Sequence, residues 1–291
     1  MPPLLPWLSR RSLRLLHAAG GVLGWVAYAL SPSYRQRLRA NAALAGVSAE
    51  QRRAAVAEAG RMVMELPRLW LRPRDRPIGD PVQWERAELI DDALTQGRGL
   101  VLLTPHMGSF EVAAQAYAER YGARQPITVL YRPARQAWLR ELEATARARP
   151  ALATAPATLA GVRQLMRALR GGQTLGLLPD QVPPLGMGVW APFFGQPAYT
   201  MTLAARLAQQ AGAAVLLIWA ERLPAGAGYR VCVLPLAEPL PDKAGLDEEA
   251  WTAAAAAALN RSMEAVIRQR PEQYLWGYHR YKQPRQPEAA A

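Results

Sequence analysis

The run Leu100-Val101-Leu102-Leu103 is apolar at every position, and Thr104-Pro105 stops it abruptly. Successive side chains of a strand point to opposite sides, so a strand that is apolar on both faces needs cover above and below. After the proline come His106, the small pair Gly108-Ser109, and Glu111 opening an alanine-rich amphipathic segment at 110–120. This reads as strand, turn, helix, and the pattern recurs. Segments at 84–90, 99–104, 127–131, 174–178, 214–220 and 229–234 read as strands. Segments at 90–96, 110–120, 136–148, 158–170, 202–211 and 247–269 read as helices. Such alternation predicts an α/β fold: a mostly parallel central sheet flanked by helices, with ligands gathered at the carboxyl ends of the strands. The stretch 182–199, rich in Pro, Gly and aromatics, reads as a long loop.

Four stretches at strand ends carry chemistry: His106 to Glu111, Tyr131-Arg132-Pro133, Pro179-Asp180-Gln181, and an aromatic, basic block from Pro271 to Lys282. Parallel strands would bring the first three to one edge of the sheet. If Ser109 caps the helix, Glu111 falls in its first turn, where the helix dipole favours a carboxylate and from which it can reach back to the imidazole. One ring nitrogen of His106 would then be fixed and the other free to take a proton from a hydroxyl. Taken singly, each stretch also has a plainer reading. His106 could be a surface histidine beside a capping glutamate, Arg132 a solvated charge, Asp180 a helix cap, and Tyr274 with Trp276 a docking patch for the terminus.

The N-terminal part has a different character. Residues 15–30 are apolar apart from His17 and include Trp25 and Tyr28; Arg10, Arg11 and Arg14 precede them, and Arg35, Arg37 and Arg39 follow. The run is shorter than the roughly 20 residues a spanning helix needs. It fits a helix lying in, or dipping into, the cytoplasmic leaflet of a membrane. A core helix and an export signal around Ser9-Arg10-Arg11-Ser12-Leu13 are the alternatives, and the positive flank after the run argues against export. Residues 48–71 read as a helix opened by a Ser48/Gln51 capping box, with an apolar face from Met62, Met64, Leu66, Leu69 and Trp70, and the charged stretch 72–80 as a joint. The expected organisation is thus a membrane-associated segment at 1–47, helix and joint at 48–80, a catalytic domain at 81–283, and a disordered tail at 284–291. The chain of 291 residues has a formal net charge of +12, nearly all of it arginine, since Lys243 and Lys282 are the only lysines. That charge attracts lipid head groups or acidic proteins; no zinc-type spacing, phosphate loop or aromatic RNA platform accompanies it, so nucleic acid is not an expected partner. A single cysteine, Cys232, excludes an intramolecular disulfide.

Together these stretches resemble the bacterial lipid A late acyltransferases, the lauroyl/myristoyl transferase family within the lysophospholipid acyltransferase superfamily. The resemblance rests on the basic N-terminal anchor with Asn41, Thr104-Pro105-His106 followed by Glu111, and Tyr131-Arg132-Pro133. It continues through Pro179-Asp180-Gln181, Pro192-Phe193-Phe194-Gly195, and Pro271-Glu272-Gln273-Tyr274-Leu275-Trp276. It implies a fatty acyl chain moved from an acyl carrier protein thioester to a hydroxyl of a lipid A precursor or related anionic lipid. The implied setting is the cytoplasmic face of the inner membrane. Another acceptor, such as a lysophospholipid, an ornithine lipid or a glycolipid, stays open. By the resemblance His106 is the general base, Glu111 its orienting partner and Asp180 the acidic residue of the later block. Arg147 or Arg149 matches an arginine after the helix that follows Tyr-Arg-Pro. Asp180 could hold that arginine in place. Arg132 and Gln181 belong to the substrate-binding set, and Phe193 and Phe194 are expected to border an acyl groove and to help measure chain length. An acyl thioester is already activated, so no metal or other cofactor is expected. The tetrahedral oxyanion needs N–H donors or positive charge, for which the start of the Ser109 helix and an arginine are the candidates.

Overall fold

β2 (Leu100–Leu103) is buried at all four residues and pairs in parallel with β5 (Thr174–Leu177) on one side and β8 (Ala214–Arg222) on the other. The structure is a computed structural model that describes residues 4–286 apart from Pro133, Arg135 and Ala148; the side chains of Ala137, Ala144 and Thr145 are likewise outside the description. Pro133 of the Tyr-Arg-Pro stretch and the tail from 287 onward therefore lie outside the described residues. Beyond β5 the sheet continues in parallel through β3 (Ile127–Tyr131) to β4 (Leu152–Pro156) at the edge. On the far side β9 (Tyr229–Pro235) runs antiparallel to β8, and β1 (Val82–Glu85) runs alongside β9, giving the order β1-β9-β8-β2-β5-β3-β4. Five strands thus share one direction and present their carboxyl ends along one edge, as the alternation predicted.

The alternate side chains of β2 enter two cores. Leu100 and Leu102 join Ile218, Val231 and Val233 under α5 (Glu88–Thr95) and α6 (Phe110–Tyr121). Val101 and Leu103 join Leu175, Leu177 and Leu217 under α8 (Leu159–Arg170), α9 (Leu203–Ala211) and α10 (Glu248–Gln269). Each fully buried leucine or valine contributes roughly 1.5–3 kcal/mol, and this two-sided burial holds the central strands against slippage.

Three strand readings differ from expectation. The strand read at 84–90 ends at Glu85, and its last residues belong to α5, which opens at Glu88. β4 is built from Leu-Ala-Thr-Ala-Pro, small residues with weak strand character, and forms because one side of it pairs with β3 while the other is an edge where proline is tolerated. The stretch read as a loop contains an antiparallel hairpin of β6 (Gly188–Phe193) and β7 (Gln196–Met201). Its turn is Phe194-Gly195, with φ of 45° and 74°, the left-handed pair that a two-residue hairpin needs.

The N-terminal helices are α1 (Leu4–Ser9), α2 (Leu13–Leu30), α3 (Pro32–Leu44) and α4 (Ala49–Trp70); α7 (Ala137–Arg147) lies between β3 and β4. The capping box of α4 forms as expected, with Ser48 and Gln51 each bonding the other's backbone N–H. α2 crosses α4 at glycines: a Cβ on Gly60 would lie 2.0 Å from the Gly20 carbonyl oxygen, and one on Gly24 2.1 Å from that of Val56. Leu13, Leu16, His17, Gly20 and Gly24 form the buried edge of α2, while Leu15, Val22, Leu23, Trp25, Val26 and Leu30 stand exposed. With 18 residues it is long and apolar enough to cross a membrane by length and composition.

Candidate active site

The register of β2 and β5 sets up the site. Leu103 pairs with Leu177, so the residues three beyond each, His106 and Asp180, come out of the sheet abreast. Asp180 spends both carboxylate oxygens on His106: one lies 2.6 Å from Nδ1 and the other accepts the His106 backbone N–H at 2.9 Å. Asp180 is 2% exposed. Burial alone would raise its pKa, but the His106 imidazole, both hydrogen bonds to His106 and the nearby Arg280 outweigh it and hold the carboxyl below its ordinary value. An ionised Asp180 makes Nδ1 the donor, which leaves the lone pair on Nε2. The ring's edge contact is Phe110, with centroids 5.3 Å apart. Behind Asp180, burial together with that carboxylate pushes the Tyr274 phenol well above its ordinary value.

The expected contact between Glu111 and the imidazole is not made. Glu111 sits in the first turn of α6 as predicted, but its carboxylate faces α7 and takes Arg147 Nε at 3.1 Å and Nη2 at 2.5 Å. The imidazole turns instead toward the neighbouring strand end, where Asp180 is already in register. Ser109 occupies the N-cap position without a capping bond, and its buried hydroxyl has no partner among the described residues. Arg147 packs between Trp70 and Tyr131, 5.8 and 5.9 Å from the ring centroids. Burial opposes its charge, but Glu111 and Glu143 raise its pKa above the ordinary arginine value.

The two candidate arginines go to different places. Arg149 is buried and donates to the carbonyls of Leu69, Arg72 and Pro73, closing the C-terminal end of α4. Burial and the neighbouring Arg72 lower its pKa to about 10, so it remains a cation at neutral pH. Arg149 is thus a helix cap rather than part of an open binding surface, and Arg147 is the arginine at Glu111. Neither is held by Asp180, whose two oxygens are both bound to His106.

The turn that carries His106 is tied down from the C-terminal block and from β8. Leu275 N–H donates to the His106 carbonyl at 3.1 Å, Gly108 N–H to the Gln273 carbonyl at 3.0 Å, and Ser109 N–H to the Ala220 carbonyl at 2.8 Å. Gly108 has φ of +56°, and a Cβ there would lie 2.1 Å from the Ala220 oxygen, so no other residue fits without displacing β8. The N–H groups of Gly108 and Ser109 are therefore occupied, and the donors left at the start of α6 are those of Phe110 and Glu111. An apolar cavity of about 30 Å³ lies against Thr104 and Phe110, walled by Ala113, Val129, Gly176 and Ile218.

The remaining expected residues are spread more widely. Arg132 is exposed just past the end of β3, and Gln181 is half-buried beside Asp180, both along the same sheet edge. Phe193 and Phe194 do not line a groove: they are buried, their centroids 4.7 Å apart, under Tyr281, Trp276 and the cations Arg280 and Arg268. Their hairpin is pinned to α10 by the Phe194 N–H donating to Glu264 at 2.7 Å. Asn41 donates to the carbonyls of Trp276 and Tyr278 and so joins α3 to the C-terminal block. Gln273 and Leu275 were visible only as members of a motif; what signalled their use was an aromatic block too rich for a free terminus. Tyr274 signalled only a docking patch with Trp276, and Arg280 gave no separate signal.

Known proteins resemble this chain over most of its length. Over 224 residues the chain is 29% identical to the lipid A biosynthesis lauroyltransferase of Escherichia coli K12, covering 77% of this chain and 69% of that protein. Over 243 residues it is 29% identical to the lipid A biosynthesis palmitoleoyltransferase of the same organism, covering 81% and 74%. The lipid A biosynthesis acyltransferase of Shigella flexneri matches with the same identity and coverage. The sequence profile described as bacterial lipid A biosynthesis acyltransferase matches residues 10–283, from the N-terminal helices through the block that ties down the His106 turn. The chain belongs to the bacterial lipid A biosynthesis acyltransferase family.

Proposed function

We propose that this protein transfers a fatty acyl chain from an acyl carrier protein thioester to a hydroxyl of a lipid A precursor, with His106 as general base. The observation that carries the reading is the imidazole whose Nδ1 is held at 2.6 Å by a buried carboxylate, in a chain of this family. His106 Nε2 takes the proton of the acceptor hydroxyl as its oxygen attacks the thioester carbonyl carbon. A C–O bond forms and the carbonyl becomes an oxyanion. The oxyanion collapses, the C–S bond breaks, and the leaving sulfur takes the proton back from the imidazolium. Asp180 keeps the ring in the reactive tautomer and stabilises the imidazolium. The N–H groups at the start of α6 and the Arg147 cation are the groups available to the oxyanion, and Glu111 keeps Arg147 in place. Arg132 and Gln181, on the same edge, would meet the acceptor's polar part. The acyl tail would begin in the apolar cavity under Phe110.

A membrane setting suits this chemistry, because donor tail and acceptor are both lipidic. The exposed apolar side of α2 and the +12 charge favour the cytoplasmic face of the inner membrane, where anionic lipid and an acidic carrier protein would both be attracted. The test is an assay of purified protein with labelled acyl carrier protein thioesters and a lipid A precursor, beside His106→Ala. The expected result is transfer that falls about 10²–10⁴-fold in the variant. Transfer only to lysophospholipid or ornithine lipid would move the acceptor to another class, and full turnover by His106→Ala would remove the base.

A further inference from the structure

Arg222 ends β8, a strand that is apolar up to Ala220 and closes with Glu221 and Arg222, and its side chain is 2% exposed. Its guanidinium reaches two buried carboxylates of α4: Nε lies 2.9 Å from Glu58 and Nη1 3.4 Å from Glu65. The same Nη1 donates to the carbonyl of Gly108 at 2.6 Å. The N–H of Gly108 is held by the carbonyl of Gln273, and the Gln273 side-chain amide exchanges two bonds with the Arg222 backbone, at 2.9 and 3.0 Å. Both polar groups of the one left-handed residue in the His106–Glu111 turn are thereby fixed by Arg222, once directly and once through Gln273. On the other side Glu65 also meets His17 of α2 at 3.1 Å and the Tyr229 hydroxyl at 3.3 Å, while Glu58 meets Arg61.

We infer that Arg222 is a positioning residue for acyl transfer: by clamping the Gly108 peptide it sets the angle at which α6 leaves the turn, and so the placement of Glu111 and Arg147 relative to His106. The inference rests on the reading of His106 as the base. A guanidinium suits the task where an ammonium does not, because its planar fork serves the carboxylates and the Gly108 carbonyl at once. A buried ion cluster used only for folding is replaceable by neutral residues of similar volume. A clamp is not, because the Gly108 carbonyl would lose its donor.

Two variants separate these possibilities. Arg222→Lys keeps the charge and loses the fork; Arg222→Met combined with Glu58→Gln and Glu65→Gln removes the charge cluster without stranding a carboxylate. In the triple variant the expected result is a cooperatively folded protein, its thermal midpoint lowered by the orphaned Gly108 carbonyl, with kcat down about 10²-fold and KM for the acyl thioester within about twofold, the size of a misplacement near 1 Å. Arg222→Lys is expected to lie between, about tenfold down in kcat, and it carries the test if the triple variant does not fold. Wild-type kcat in a folded triple variant, or in Arg222→Lys, overturns the inference. His106→Ala in the same assay tells the two failures apart. Full turnover there overturns the base assignment and this inference with it, whereas a dead His106→Ala beside a wild-type-like Arg222→Lys overturns Arg222 alone.

Discussion

At the scale of single residues, the consequence of the His106–Asp180 pair is a change in proton bookkeeping when the carboxylate is removed. Asp180→Asn keeps the shape and can present an N–H to Nδ1, which would move the ring proton to Nε2 and leave no base. Turnover should fall by about 10²–10⁴-fold, as for loss of a general base. The same carboxyl also makes a pH-dependent contribution to stability. Its folded pKa is lowered from the ordinary 3.8, so its stabilisation is fully present above that value and disappears as pH falls through the lower folded value. Thermal midpoints of wild type and Asp180→Asn should therefore differ most at pH 6 and converge below about pH 4; a gap that stays constant down to pH 3 would contradict this. In the sequence, His106, Asp180 and Glu111 were legible as polar residues placed at the ends of apolar strands or at the start of the next helix, whereas Arg147 came only from the family resemblance, with Arg149 as its alternative. Which one touches which was not legible. Glu111 is close to His106 along the chain, but strand register brings Asp180 nearer in space, and register depends on both partners at once.

At the scale of elements, α4 and α6 illustrate how charges are divided between chemistry and construction. Arg147 and Arg149 are two residues apart, yet one meets Glu111 and the other meets three carbonyls at the end of α4. Arg149→Met should therefore cost stability, about 1–3 kcal/mol for carbonyls left without their donor, with kcat within a few-fold of wild type. Arg147→Met should lower kcat by tenfold or more. Denaturant titration beside initial rates checks both, and a reversed pattern would exchange the two roles. The helices were readable from their period and the central strands from unbroken apolar runs closed by turn residues. The β6–β7 hairpin was hidden by Pro192, Pro197 and two glycines, which signal loops in isolation but suit a two-stranded ribbon with both outer edges unpaired. β4 was hidden by its small side chains, since what makes it a strand is the edge of β3 rather than its own propensity.

At the scale of the whole molecule, the exposed side of α2 gathers six exposed large apolar side chains on one helix. Leu15, Val22, Leu23, Trp25, Val26 and Leu30 stand out from a helix whose other edge is locked into α4. Replacing Leu15, Val22 and Val26 by serine should leave the fold intact and reduce co-sedimentation with phosphatidylglycerol-containing vesicles by more than about 10²-fold, given roughly 1.5–3 kcal/mol for each apolar side chain returned to water. Unchanged sedimentation would assign that face to some other partner. Where α2 crosses α4 no side chain intervenes, and backbone lies directly on backbone at Gly20, Gly24 and Gly60. A joint of that kind has no slack. A helix seated in a bilayer would carry the sheet with it as one lever, so a thinner or thicker bilayer that tilts α2 would tip the strand ends by the same angle and change how high the imidazole rides above the lipid head groups.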